Sequence, residues 1–230
     1  VIRASRQLPL YDWESKSVPV EKGVFCTAEL EPVRGDARLT IERLRQVCEE
    51  TADDGKKPVI LGGEHSLSLA GVQAAKPDSV LVLDAHADAW DEFEGSKWSH
   101  ACVSRRIHEE TGKVSVAGVR SISEEEAEYS KKKGFKVFYA NKSTVGTVLK
   151  SLKGRVYVSV DVDVFDSSLM PSTGTPEPGG LGWEQVCSLL KAVSRKNVVG
   201  FDLTELAPIP GLEAPNYAAA KLLYKMVGWF

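Results

Sequence analysis

The chain has 230 residues, of which 43% are hydrophobic and 27% charged. That is the composition of a globular protein large enough to bury its own core, and it excludes a disordered, collagen-like or disulfide-stapled chain. With 29 Lys and Arg against 32 Asp and Glu, a net charge of −3, the chain lacks the basic excess of a general nucleic-acid binder, and no run of ~18 apolar residues is present to cross a bilayer.

The elements alternate along the chain. A helical pattern over 37–51 places Leu39, Leu44 and Val47 on one stripe. Short apolar runs at 58–61 and 80–83 read as strands, and a helix follows over 100–110. A strand at 114–117 leads to a helix at 123–133, where Ser123 and Glu126 form a capping box and Lys131, Lys132 and Lys133 face solvent at the C-terminal end. Strands at 136–139 and 156–160, a helix at 183–194, a strand at 197–201 and a helix at 214–227 complete the series. Most of the strand runs are apolar on both faces, as in parallel strands covered by helices. The expectation is one α/β domain over 1–230 with a mostly parallel central sheet. The four cysteines, Cys26, Cys48, Cys102 and Cys187, form no C-x-x-C pair. They read as reduced core thiols of a cytoplasmic protein, and no signal peptide opens the chain.

Three segments carry chemistry, each beside the end of a predicted strand, where open α/β sheets bind ligands. Gly62-Gly63-Glu64-His65-Ser66 follows the first strand, and its glycines permit a sharp turn. Asp84-Ala85-His86-Ala87-Asp88 follows the second; period-2 spacing on an extended backbone would point all three polar side chains one way. Asp161 and Asp163 repeat that spacing after 156–160. Buried without cations, close carboxylates would repel one another at a cost of many kcal/mol. Asp84, Asp88, Asp161 and Asp163 carry four negative charges that two divalent cations would neutralise, with His65 and His86 completing a nitrogen and oxygen donor set. Ligation rich in oxygen and free of thiolate favours Mn²⁺. Cations paired at ~3.5–4 Å lower the pKa of a shared water to about 7 and so generate a nucleophile.

Together with Thr173-Gly174-Thr175-Pro176-Glu177-Pro178-Gly179-Gly180, these motifs resemble, in order, those of the ureohydrolases, the arginase and agmatinase family. The resemblance implies a three-layer α/β/α fold, two Mn²⁺ per chain, hydrolysis of a guanidino group to urea and an amine, and a homo-oligomer, trimeric or hexameric. It implies a first metal site of His65, Asp84, Asp88 and Asp161 and a second of His86, Asp84, Asp161 and Asp163, bridged by Asp84 and Asp161. Asp88 would also orient the attacking oxygen, His100 would pass the proton, and Glu205 would hold the guanidinium. The stretch Ser99 to Arg106 is similar to agmatinases. The acidic loop 90–98 should repel an α-carboxylate and admit a cationic tail. Agmatine, cleaved to putrescine and urea, is therefore the expected small-molecule substrate. Other guanidino substrates, formimidoylglutamate, a one-Zn²⁺ deacetylase and a non-catalytic relative are the alternatives. Three departures stand out: Glu64 in place of the usual Asp, Asp166-Ser167 in place of Asp-Pro, and a beginning at Val1 to Ser5 that leads us to expect the family's N-terminal strand to be missing.

Overall fold

A computed structural model describes residues 1–230. In chain order the elements are α1 (Ile2–Ser5), α2 (Ala37–Asp53), β1 (Val59–Leu61), α3 (Ser68–Ala75), β2 (Ser79–Leu83), α4 (Val103–Thr111), β3 (Val114–Val119), α5 (Glu124–Lys133), β4 (Lys136–Tyr139), α6 (Val145–Ser151), β5 (Arg155–Asp161), α7 (Trp183–Val193), β6 (Asn197–Thr204) and α8 (Ala214–Trp229). The strands form one sheet in the order β1-β6-β5-β2-β3-β4, and every pairing is parallel. All six strands fall where the apolar runs place them.

The core lies on both faces of that sheet. Alternation along β2 sends Leu81 and Leu83 to one face, where they pack with Leu190 of α7 and Leu222 of α8. It sends Val80 and Val82 to the other, with Leu69 of α3 and Ile107 of α4. Burial on both faces explains why the strands show no polar alternation. The chain runs from β2 outward to β3 and β4, while β5, β6 and β1 extend the opposite edge. The crevice between the carboxyl ends of β2 and β5 is thus the topological switch point.

Several expectations need correction. The stripe on α2 is offset: Thr40, Ile41 and Cys48 are buried, whereas Leu39 and Val47 are exposed. Thr40 Oγ1 accepts from Val33 N and donates to Asp36 O, so its hydroxyl is satisfied where it is buried. The expected helix at 100–110 begins as a 3₁₀ turn over His100–Cys102 and becomes α-helical at Val103. Two helices lacked a periodic signal: α3 is almost wholly buried and has no polar face, and α6 is only 7 residues long. Cys48, Cys102 and Cys187 are buried, but Cys26 is exposed, and all four are free thiols. His108 is buried and lies 2.8 Å by Nδ1 from the Tyr129 hydroxyl, a structural role. No helix is long and apolar enough to cross a membrane.

Leu81 is completely buried at the centre of the sheet, so Leu81→Ala should lower unfolding free energy by about 2–5 kcal/mol in urea titrations.

Candidate metal centre

The carboxyl ends of four neighbouring strands build the site. After β1, Gly62 and Gly63 take φ of 84° and 72°, a left-handed pair that swings the chain into a 3₁₀ turn starting at His65. At Gly63 it is the positive φ that favours glycine, since the nearest atom to an added Cβ is the movable end of the Leu67 side chain. After β2 the chain stays extended as far as His86, which bridges to Ser121. It then breaks at Asp88, whose φ is 50°. After β5, Val162–Val164 form a 3₁₀ turn. Period-2 spacing on an extended strand therefore accounts for Asp84 and His86 only. Asp88 and Asp163 reach the same place through turns.

The six residues converge. His65 Nδ1 lies 3.0 Å from Asp84 Oδ2, 3.2 Å from Asp88 Oδ2 and 3.3 Å from Asp161 Oδ2. His86 Nδ1 lies 2.9 Å from Asp163 Oδ2 and 3.5 Å from Asp84 Oδ1. His65, Asp84 and Asp88 form one group of donor atoms all within 4.8 Å of one another, and Asp84, His86 and Asp163 form another. Asp84 belongs to both. Three of the aspartates spend Oδ1 on a backbone N–H: Asp84 accepts from His86, Asp161 from Asp163, and Asp163 from Ala85. Their Oδ2 atoms are thereby committed to the shared space.

Electrostatics test whether cations fit. Burial, then the Asp84 charge, pushes Asp88 up to about 7. Asp161 rises through burial and the charges of Asp163 and Asp84, and Asp163 rises through burial and Asp84. Burial works against Asp84 too, but the imidazoles of His65 and His86 beside it outweigh burial and hold that carboxyl low. Burial likewise opposes charge on His86, yet Asp163 and Asp84 raise it to about 11. The cluster thus draws protons onto imidazoles in search of positive charge, a demand that divalent cations meet directly. Asp84 Oδ2, close to His65 but not aligned with it, is a buried oxygen with no hydrogen bond. An acid-rich, thiol-free donor set of this kind fits hard or borderline divalent ions.

The remaining expected residues sit on the rim. Glu205, at φ 63°, accepts from His65 N at 2.6 Å and donates its own N–H to Gly63 O. Burial raises its carboxyl. His100 is half-exposed, and Glu64 Oε1 accepts from its backbone N at 2.5 Å and lies 3.2 Å from its Nδ1. That carboxylate, against the opposing effect of burial, raises the imidazole above its ordinary value. Glu64, the departure from the family pattern, is thus the partner of His100.

One other reading changes. Asp91, counted toward the acidity of the loop, pairs with Arg105, Arg106 and Lys97, so its charge is spent locally and only Glu92 and Glu94 stay exposed. Asp166, at the Asp-Ser departure, accepts from Ser168, Gly179 and Gly180 and anchors the loop that follows. Arg120 carried no signal in the sequence. Its guanidinium donates to the carbonyls of Gly118, Asp163, Val164, Phe165, Glu177 and Pro178. It thereby ties β3 to both loops behind the second donor group.

A parallel sheet with paired His and Asp donor groups at its switch crevice defines a metal-dependent α/β hydrolase. The sequence profile of the arginase family matches residues 1–228, and the chain belongs to that family. It is similar to the agmatinase of Pyrococcus horikoshii, with 41% identity over 195 residues, 83% of this chain and 68% of that protein. The N(1)-aminopropylagmatine ureohydrolase of Thermococcus kodakarensis is 37% identical over 224 residues, 95% of this chain and 76% of that one. The crystal structure of the agmatine ureohydrolase of Thermoplasma volcanium superposes with a TM-score of 0.91 at 31% identity, covering 99% of this chain and 80% of that chain.

Loss of the Arg120 staple should free the loops it binds. Arg120→Ala is expected to cost about 2–3 kcal/mol in stability and to speed limited proteolysis within 162–180, both measured against wild type.

Proposed function

We propose that the chain is a ureohydrolase that cleaves a guanidino group to urea and an amine, using two Mn²⁺ held by His65, Asp84, Asp88 and Asp161 and by His86, Asp84, Asp161 and Asp163. The observation that carries this reading is the convergence of four buried aspartates and two imidazole Nδ1 atoms on one crevice. Two divalent ions balance the four carboxylates and leave both imidazoles neutral. Bound there, the ions supply an acidified water and a Lewis acid.

The protein's own groups do the rest. Glu205 holds one oxygen on His65 N, and its Oε2 lies 4.0 Å from where a Cβ on Gly174 would stand. A carboxylate there takes a planar, permanently charged guanidinium through paired hydrogen bonds. His100, whose pKa Glu64 raises, stands at the rim to protonate the departing amine. Asp88, the least buried member of the first donor group, is placed to orient the attacking oxygen. The exposed Glu92 and Glu94 favour a cationic tail over a carboxylate, which supports agmatine or N(1)-aminopropylagmatine, the compounds named for the relatives. Four free cysteines accord with a reducing cytoplasm. Exposed Leu10, Tyr11, Trp13 and Phe25 offer apolar surface for a homo-oligomer.

Urea release after Mn²⁺ loading tests the proposal, with agmatine, N(1)-aminopropylagmatine, arginine and guanidinobutyrate compared side by side. The amine-tailed substrates should be preferred, and Asp163→Asn should abolish turnover and lower Mn²⁺ content by elemental analysis. Equal turnover of arginine and agmatine would remove the argument from the rim.

The pH profile tests His100. Its pKa is raised by Glu64, so the imidazolium needed for leaving-group protonation persists below that pKa and is lost as pH rises through it. Glu64→Gln should move the alkaline limb of kcat to lower pH; an unmoved limb would exclude Glu64 as the cause.

A further inference from the structure

The buried carboxylate of Asp202 has no place in the reaction described above. It lies on β6, fully buried, with Oδ2 lacking a hydrogen bond. In the sheet register Asp202 is the cross-strand partner of Ser159 on β5. Ser159 Oγ donates to Asp202 Oδ1 at 2.7 Å and lies 2.9 Å from His65 Nε2. Ser68 Oγ, at the start of α3, is 3.0 Å from the same hydroxyl.

The molecule makes unusual room for this arrangement. Two residues back along both strands, Tyr157 pairs with Gly200. A Cβ on Gly200 would stand 2.8 Å from the Tyr157 ring, and one on Gly71 of α3 would stand 2.0 Å from its hydroxyl. Both glycines are therefore needed to seat Tyr157 beneath the sheet. Its hydroxyl, buried and without a hydrogen bond of its own, is near enough to Asp202 for each group to perturb the other.

Proton counting gives the chain a direction. Ser159 Oγ donates to Asp202 Oδ1, and a hydroxyl has one proton, so Ser159 spends it there. The serine oxygen must then accept from its other neighbours, which places the proton of neutral His65 on Nε2. The Nδ1 lone pair is left facing Asp84, Asp88 and Asp161. We propose that Asp202, acting through Ser159, is a positioning residue that sets the tautomer of His65 and thereby the affinity of the first donor group for its cation. The inference rests on the metal-centre reading and deepens it. Outer partners of this kind are worth about 10–100-fold in metal affinity. In Asp202→Asn the amide can donate to Ser159, which then turns its proton toward His65 and favours Nδ1–H, the tautomer that cannot ligate.

The test is Mn²⁺ binding by calorimetry on wild type, Ser159→Ala, Asp202→Asn, the double variant and His65→Ala, with thermal unfolding to verify folding. Each single change should weaken one class of site about 10–100-fold, and the double variant should lose no more than the weaker single. In the Zn²⁺-loaded wild type, ¹⁵N spectra should show His65 protonated at Nε2, its signals assigned by their absence from His65→Ala. Wild-type affinity in both single variants, additive losses, or His65 protonated at Nδ1 would overturn the proposal. If Asp202→Asn does not fold, Ser159→Ala and the wild-type spectrum decide. Should His65→Ala keep the wild-type Mn²⁺ stoichiometry, the metal-centre reading itself fails. Should it lose an ion while Ser159→Ala and Asp202→Asn bind normally, only the role of Asp202 fails.

Discussion

The structure turns on negative charge held where water does not reach. Asp84, Asp88, Asp161 and Asp163 are each less than a tenth exposed, and like charges at that spacing favour protonation or a counter-ion. Neighbouring backbone N–H groups fasten one oxygen of Asp84, Asp161 and Asp163. Such bonds orient the carboxylates without neutralising them. The fold therefore carries an electrostatic debt in the metal-free state, and cation binding to the folded form alone would stabilise it by mass action.

Such a cluster needs a stiff support. It comes from strands buried on both faces: β2 throughout, and β5 at every residue except Arg155. Their side chains interlock with helices on either side, so the strand ends cannot drift apart without opening the core. The loops beyond have no such backing, and there polar anchors take over. Arg120 gathers carbonyls from both sides of the second donor group, and Asp166 gathers amides from the loop that follows. Each anchor is a single side chain satisfying several backbone groups, an economical way to hold irregular chain.

Much of this was legible in the sequence because its physical cause is local. A strand covered on both faces must be apolar on both faces, so β2, β3 and β5 announced themselves, while β1 and β4 at the sheet edges showed only as short apolar runs. The acids and imidazoles were visible through their clustering at strand ends. What escaped depended on contacts made at a distance. Helix α3 is built from small and apolar residues apart from Gln73 and is buried at every other position, so no amphipathic period marks it. Leu39 on α2 is apolar yet exposed, because the helix packs on the core through Ile41, Leu44 and Cys48. Asp91 read as free charge because its partners Arg105 and Arg106 lie a helix away. The convergence of Asp88 and Asp163 was expected, but its stated cause was not the true one. Turns achieve it, not the pleat of a strand, since neither Asp88 at φ 50° nor Asp163 in a 3₁₀ turn is extended.

Depth divides the site by task. His65 is sealed from solvent, and its far nitrogen meets a serine within the sheet. His86 is partly exposed, and its far nitrogen lies 4.0 Å from Glu177, itself more than a third exposed. His100 is more open still, with nearly half of its side chain in solvent. A group that must hold a cation through many turnovers gains from burial, because competing water is excluded and a low local dielectric strengthens every charge interaction. A group that must receive a substrate and exchange a proton with water gains from exposure. The switch point of a parallel sheet supplies both in one crevice: strand ends at its floor, and at its rim the loops that leave them.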